Sequence, residues 1–155
     1  MRRKQKFKRT IEPDRKYNNT IVAKLIKVIM LHGKLNLAEK IVYDALAEIE
    51  KETKSDPIET FELAIRNVSP VLEIKSKRIG GANYQVPREV KGDRKLALAF
   101  RWIITASKSK KGSSMAHRLA DEILLAAKNE GAAIKKRSDT QRMAEANRAF
   151  AHFAW

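Results

Sequence analysis

Leu72 to Val90 reads LEIKSKRIGGANYQVPREV, and here the side chains abandon helical spacing for alternation. Leu72, Ile74, Ser76 and Arg78 fall on one side of an extended backbone, and Glu73, Lys75, Lys77 and Ile79 on the other. Gly80 and Gly81 separate this run from Ala82 to Val90. Glycine takes a positive φ without steric cost, so a Gly-Gly pair between strand-like runs predicts a two-residue hairpin turn. The ribbon, residues 71–90, carries Lys75, Lys77, Arg78 and Arg88, and its tip has few apolar side chains. It is expected to project from the core rather than join a larger sheet. An isolated two-stranded ribbon is marginal in water, so contact with a partner would help to order it.

On both sides of the ribbon the spacing is helical. Before it, Ile21, Val22, Leu25, Ile26, Ile29 and Met30 predict a first helix from about Asn19 to His32, which Gly33 can stop. A second is expected to start at Asn36 as N-cap, with Glu39 as its capping-box partner. A third follows Asp56-Pro57, an N-cap with proline at the first helical position, and ends before Pro70. After the ribbon, a fourth helix is expected from about Asp93 to Ser107 and a fifth from about Ser114 to Asn129. A sixth should run from Ser138 to Trp155, with Ser138 and Gln141 at capping-box spacing and Met143, Ala146, Phe150 and Phe153 facing the core. The expected fold is mainly α: one domain over residues 1–155, about six helices, with the hairpin between the third and fourth. A basic arm (1–17) and a basic C-terminal helix (135–155) flank it.

Charge narrows the function. The 155 residues hold 33 Lys and Arg against 18 Asp and Glu, a net of +15 with a pI near 10.2. Such an excess repels itself in a compact state and usually serves a polyanion. Nucleic acid is the first candidate, because neutralising phosphates releases condensed counterions. An anionic membrane is the second, but no stretch is long and apolar enough to span a bilayer. The charge is also segregated. Glu39 to Glu62 holds eight acidic residues against Lys40, Lys51 and Lys54, a net of −5 that leaves about +20 elsewhere. One side is expected to meet the polyanion, and the acidic side to face solvent or a basic protein. The start, MRRKQKFKRT, lacks the apolar run of a secretory signal and reads as a mature basic arm.

The residues give catalysis little to work with. There is no cysteine, which excludes disulfides, thiolate zinc sites and Cys nucleophiles. His32, His117 and His152 never fall at metal-ligand spacing, so no metal or cofactor is expected. Gly80-Gly81 lacks the spacing of a phosphate-binding loop and does not open a helix, and Ser113-Ser114 lacks a nucleophile-elbow context. The acidic run is better explained as a solvated helix face than as paired catalytic carboxylates. The basic residues instead recur in four clusters: Arg2, Arg3, Lys4, Lys6, Lys8 and Arg9 in the arm, the ribbon, Lys108, Lys110 and Lys111 in KSKKGSS, and Lys135, Lys136 and Arg137. Arg101 and Arg118 stand between acid-free stretches. Arginine suits bidentate phosphate contact and lysine acts as a point charge. Tyr84 is placed to stack on a base or to pack against its strand partner. Trp102 reads as core, and Trp155 as either core or a contact.

Two segments carry a resemblance beyond composition. Lys75 to Pro87 (KSKRIGGANYQVP) and Lys135 to Trp155 (KKRSDTQRMAEANRAFAHFAW) are similar to signature segments of the bacterial-type small-subunit ribosomal protein S-seven family. IMLHGKLNLA at Ile29 to Ala38 and LALAFRWI at Leu96 to Ile103 also resemble their counterparts. The resemblance implies a helical domain with a protruding ribbon, no catalytic residue and no cofactor. It implies a primary binder of small-subunit ribosomal RNA that nucleates assembly of the subunit head, close to the exit-site transfer RNA and the messenger path. Small-subunit proteins S-nine and S-eleven are the implied neighbours, with no membrane and no functional homo-oligomer. The implied location is the ribosome of a bacterial cytoplasm or plastid stroma. The family's RNA contacts, carried over, fall on Arg2, Arg3, Lys4, Lys34, Lys75, Lys77, Arg78, Arg94, Arg101, Arg142 and neighbours, which adds Gly80, Gly81 and Lys95. The chain departs from the family's pattern at Lys75 and Lys77, where arginine is usual, at Leu35 for lysine, at Gln141 for histidine and at Ala154 for arginine. Two other classes compete: a DNA-binding helical module, favoured by duplex preference and dimerisation, and a basic RNA-modifying enzyme, which lacks a catalytic constellation.

Overall fold

The computed structural model of the chain describes residues 11–153. Six α-helices, a two-stranded ribbon and a C-terminal 3-10 helix follow one another: α1 (Thr20–Ile29), α2 (Leu35–Thr53), α3 (Pro57–Val68), β1 (Leu72–Ile79), β2 (Ala82–Glu89), α4 (Gly92–Ser109), α5 (Met115–Ala127), α6 (Ala132–Ala146) and the 3-10 helix (Arg148–Phe153). The mainly helical fold and the position of the ribbon agree with the sequence reading.

The core forms where the apolar stripes meet. Val22, Leu25 and Ile26 of α1, Val42, Leu46 and Ile49 of α2, Phe61 and Val68 of α3, Phe100 and Ile103 of α4, and Leu119 and Ile123 of α5 join one buried cluster. Helix α5 packs against α2, α3 and α4 and so forms the hub. Trp102 is half-buried against this cluster. Trp155 lies outside the described residues.

Local chemistry sets most helix starts. Asn19 caps α1 by accepting from the N–H groups of Ile21 and Val22, Asp56 caps α3 through Ile58, and Ser114 caps α5 through His117. The buried Asp14 builds the turn before α1 by accepting from the N–H groups of Lys16, Tyr17 and Asn19. The Tyr43 hydroxyl of α2 reaches the same carboxylate at 3.4 Å. Burial, then the charges of Asp14 and Glu39, raise the pKa of that phenol.

Three expectations shift. Helix α1 ends at Ile29, because the chain turns through Leu31 to Lys34 with His32 and Gly33 both at positive φ. Main-chain bonds from Lys34 N–H to Leu31 C=O and from Leu35 N–H to Gly33 C=O close that turn and launch α2 at Leu35. Asn36 therefore lies inside the first turn and is not the cap. Helix α6 starts at Ala132 rather than Ser138 and stops at Ala146, so the expected single C-terminal helix is a helix and a separate 3-10 turn. Within α6, Ala133, Ile134, Thr140 and Ala144 are buried, while Met143 is 42% exposed and Ala146 also faces out.

The ribbon has the expected turn. Gly80 and Gly81 take φ of 57° and 91° between Ile79 and Ala82, which pair with each other. In an antiparallel ladder, hydrogen-bonded pairs alternate with non-bonded ones. The bond from Val90 N–H to Val71 C=O fixes the parity. Ile74 and Pro87, opposite each other, then form a non-bonded pair. Proline's missing N–H thus falls on the outer edge of β2, where the ladder loses nothing.

The ribbon does not stand alone. The ring of Tyr84 lies 5.2 Å from that of Phe150 and 5.6 Å from that of Phe153. Lys77 donates to the Phe153 carbonyl at 3.1 Å. The C-terminal 3-10 helix is therefore a clasp on the ribbon, which needs no RNA to have a packing partner.

Candidate nucleic-acid interface

Helix α4 aligns three of the basic residues. Arg94, Arg101 and Lys108 recur every seven residues, close to two helical turns, and all three are exposed. At 1.5 Å per residue the stripe is about 21 Å long, which fits a polyanion better than one small anion. At its lower end it meets the ribbon: Arg94 donates through Nε to Glu73 Oε2 at 3.0 Å, and Lys75 Nζ lies 3.4 Å from Glu73 Oε1. Arg78 is exposed farther along the ribbon, Arg88 is exposed opposite Glu73 at its root, and Lys111 lies beyond α4 in the loop before α5.

Glu73 organises the ribbon root. Burial by itself would raise its pKa, but the hydrogen bond and charge of Arg94, with help from Lys75, outweigh burial and hold it below the usual carboxylate value of 4.5. A lowered folded pKa means that the unfolded chain binds the proton more readily. The stabilisation is then fully present above about pH 4.5 and is lost as pH falls through the folded value. The stability gap between the protein and Glu73→Gln is therefore expected to be open at pH 7 and to close on acidification. Urea titrations from pH 7 to pH 3 read it, and a gap that widens in acid would refute the assignment.

Several of the expected contact residues are tied into the fold. Lys110 Nζ lies 3.2 Å from Oε2 of Glu122, whose side chain is 0% exposed. The pair is ionic, without hydrogen-bond alignment at Oε2. Oε1 of the same carboxylate accepts from the Ala133 N–H at 2.9 Å. Glu122 of α5 thus caps α6, whose own N-cap, Gly131, has no side chain to do so. Gly131 sits at φ 93°, and a Cβ there would stand 2.9 Å from Glu122 Oε1. Arg118 is half-buried and donates to the carbonyls of Lys110 and Ser114, which fastens the α4–α5 loop. Arg137 is half-buried and donates to the Asn67 carbonyl at the end of α3. Lys77 is half-buried beneath the clasp. Lys95 is half-buried, whereas Lys34, Lys135, Lys136 and Arg142 are exposed. Arg2, Arg3, Lys4, Lys6, Lys8 and Arg9 lie outside the described residues.

Tyr84 resolves toward packing, though onto the clasp rather than onto its strand partner. Sequence reasoning gave no role to Lys91 or Arg148. With Arg88 they line a groove at the ribbon root, and the signal that would have found it is a contact between segments some sixty residues apart. The acidic residues gather on α2 and α3, where Glu48 Oε2 lies 3.1 Å from His117 Nδ1. Among the described residues, no three His, Cys, Asp or Glu side chains are grouped to hold a metal, and no helix is long and apolar enough to cross a membrane.

The sequence model of the family described as ribosomal protein S7p/S5e matches residues 1–148. The chain is 53% identical to the small ribosomal subunit protein uS7 of Thermotoga maritima over 155 residues, all of both chains. It is 51% identical to the uS7 of Arthrospira platensis over 154 residues, 99% of each chain. It is 55% identical to the uS7 of Cupriavidus metallidurans over 152 residues, 98% of this chain and 97% of that relative.

Proposed function

The chain belongs to the ribosomal protein S7p/S5e family, and from that premise we propose that it is a primary binder of small-subunit ribosomal RNA that nucleates assembly of the subunit head. It is a structural protein of the small ribosomal subunit, not an enzyme, and its partners are ribosomal RNA and ribosomal proteins. Its place is the ribosome. The finer reading puts it beside the exit-site transfer RNA and the messenger path, with S-nine and S-eleven as neighbours, as a single domain without a functional homo-oligomer.

The observation that carries the RNA reading is the basic stripe of α4 running into the ribbon. Arg94, Arg101 and Lys108 along α4, with Lys75 at its lower end and Arg78 on the other face of the ribbon, offer charge to several phosphates, while the acids collect on α2 and α3. Binding is by shape and phosphate neutralisation across several RNA helices, without one readout pocket. The N-terminal residues Arg2 to Arg9, Lys34, Lys111, Lys135, Lys136 and Arg142 add charge at other points. Lys110, Arg118 and Arg137 support the fold that presents them. The acidic side is left for solvent or a basic ribosomal protein.

Affinity for a head fragment of small-subunit ribosomal RNA, against a scrambled RNA of equal length across a salt series, tests the reading. A preference of about 1,000-fold or more at physiological salt is expected. Equal affinity for both RNAs, vanishing steeply with salt, would reduce the protein to a generic polycation.

A further inference from the structure

The groove at the ribbon root has an apolar floor and a cationic rim. Leu72 of β1, Pro87 of β2, Ala144 of α6 and Ala151 of the C-terminal 3-10 helix supply the apolar surface. Arg88, Lys91 and Arg148 bring three positive charges, against the carboxylates of Glu89 and Glu145. The free volume is about 630 Å³, which is in the range of small-ligand sites. Leu72 and Glu89 form a non-bonded pair by the ribbon's parity, so the N–H and C=O of Glu89 turn away from β1.

From this combination we propose that the groove receives one unpaired nucleotide of the small-subunit ribosomal RNA. The base lies on Leu72, Pro87 and Ala151, and its phosphate lies against Arg148. The inference rests on the ribosomal RNA reading and adds a subsite to it. An apolar floor favours the face of a base over a hydrated phosphate run, while a rim with a surplus of cations favours a nucleotide over a neutral apolar side chain. Unpaired bases splayed out of RNA are the elements that proteins recognise in this way. The groove also adjoins the stripe already assigned to the RNA, since Lys91 is three residues from Arg94.

Ala151 is exposed and lines the groove, so Ala151→Trp fills it without altering a charge. The full chain and this variant are compared on the ribosomal RNA head fragment by affinity across salt and by chemical probing of base edges. Ala151→Trp is expected to bind about 10-fold or more weaker, the scale of losing one stacked base, with an unchanged salt slope. At least one unpaired base that the protein protects should become reactive, while backbone protections persist. Arg148→Glu, the second variant, should weaken binding and reduce the salt slope by about one. Thermal unfolding checks that both variants fold. Wild-type affinity and base protections in both variants would overturn the subsite, while a sequence preference kept by all three proteins would leave the ribosomal reading standing. Unchanged RNA binding combined with failure of a head protein to join reconstituted particles would put a protein in the groove and also overturn it. No preference for the head fragment in the unmodified chain would instead sink the ribosomal RNA reading itself.

Discussion

Glu122→Ala loses about 3 kcal/mol of unfolding free energy, the sum of a vanished helix cap and a cavity in the α5–α6 contact. The carboxylate is wholly buried, bonded to the Ala133 N–H and paired with Lys110, so nothing nearby can take over either role. Glu122→Gln keeps the volume and one acceptor, and should lose about 1 kcal/mol, the net worth of a charge-assisted bond over a neutral one. Gly131→Ala tests the same junction from the other side. Its Cβ would press on Glu122 Oε1 at 2.9 Å and Leu125 Cβ at 3.2 Å with φ held at 93°, and it should lose about 1–3 kcal/mol. Urea unfolding midpoints order the three. A Glu122→Ala protein within about 0.5 kcal/mol of the parent, the usual range of surface changes, would show that α6 does not depend on this cap.

Reversing Arg78, Arg101 and Lys108 together to glutamate should weaken binding to the ribosomal RNA head fragment by on the order of 100-fold at physiological salt. The log–log salt slope should fall by roughly two to three, since each lost phosphate contact removes about 0.7–0.9. All three side chains are exposed, so the variant should unfold at the parent's urea midpoint. The contrast is a second triple, Lys110, Arg118 and Arg137, whose reversal should appear first as lost stability. Lys110 faces a buried carboxylate, and the two arginines are tied to main-chain carbonyls. If both triples reduced affinity equally without moving stability, the division between RNA-facing and fold-supporting cations would be wrong.

That division marks the limit of what the sequence makes legible. Alternation, glycine chemistry and helical spacing are local, and they place the ribbon, its turn and the five helices α1 to α5 with small errors. The starts of α2 and α6 are missed because their causes are not in the capping residues. One is a main-chain-bonded turn at Leu31 to Lys34, and the other is a carboxylate eleven residues upstream on another helix. The same blindness affects the cations. Lys110 and Lys111 are neighbours in a basic loop, and only the fold shows that the first answers Glu122 while the second lies in solvent. The aromatic rings of Tyr84, Phe150 and Phe153 are visible as residues, but their meeting is tertiary. The family resemblance supplied RNA binding and its segments, though it could not separate contact from support.

The buried Pro87, whose missing N–H falls on the outer edge of β2, and the clasp over Tyr84 bear on how the ribbon meets another strand. A two-stranded ribbon has two unpaired edges, and each is a template on which another copy could add a strand and begin aggregation. Proline at an outward position deletes a donor that such a strand would need, and the 3-10 helix lies against β2. Lys75 and Arg78 add like charge that two stacked ribbons would have to bring together. The β2 edge of the ribbon is thus a poor template for strand addition by a second copy.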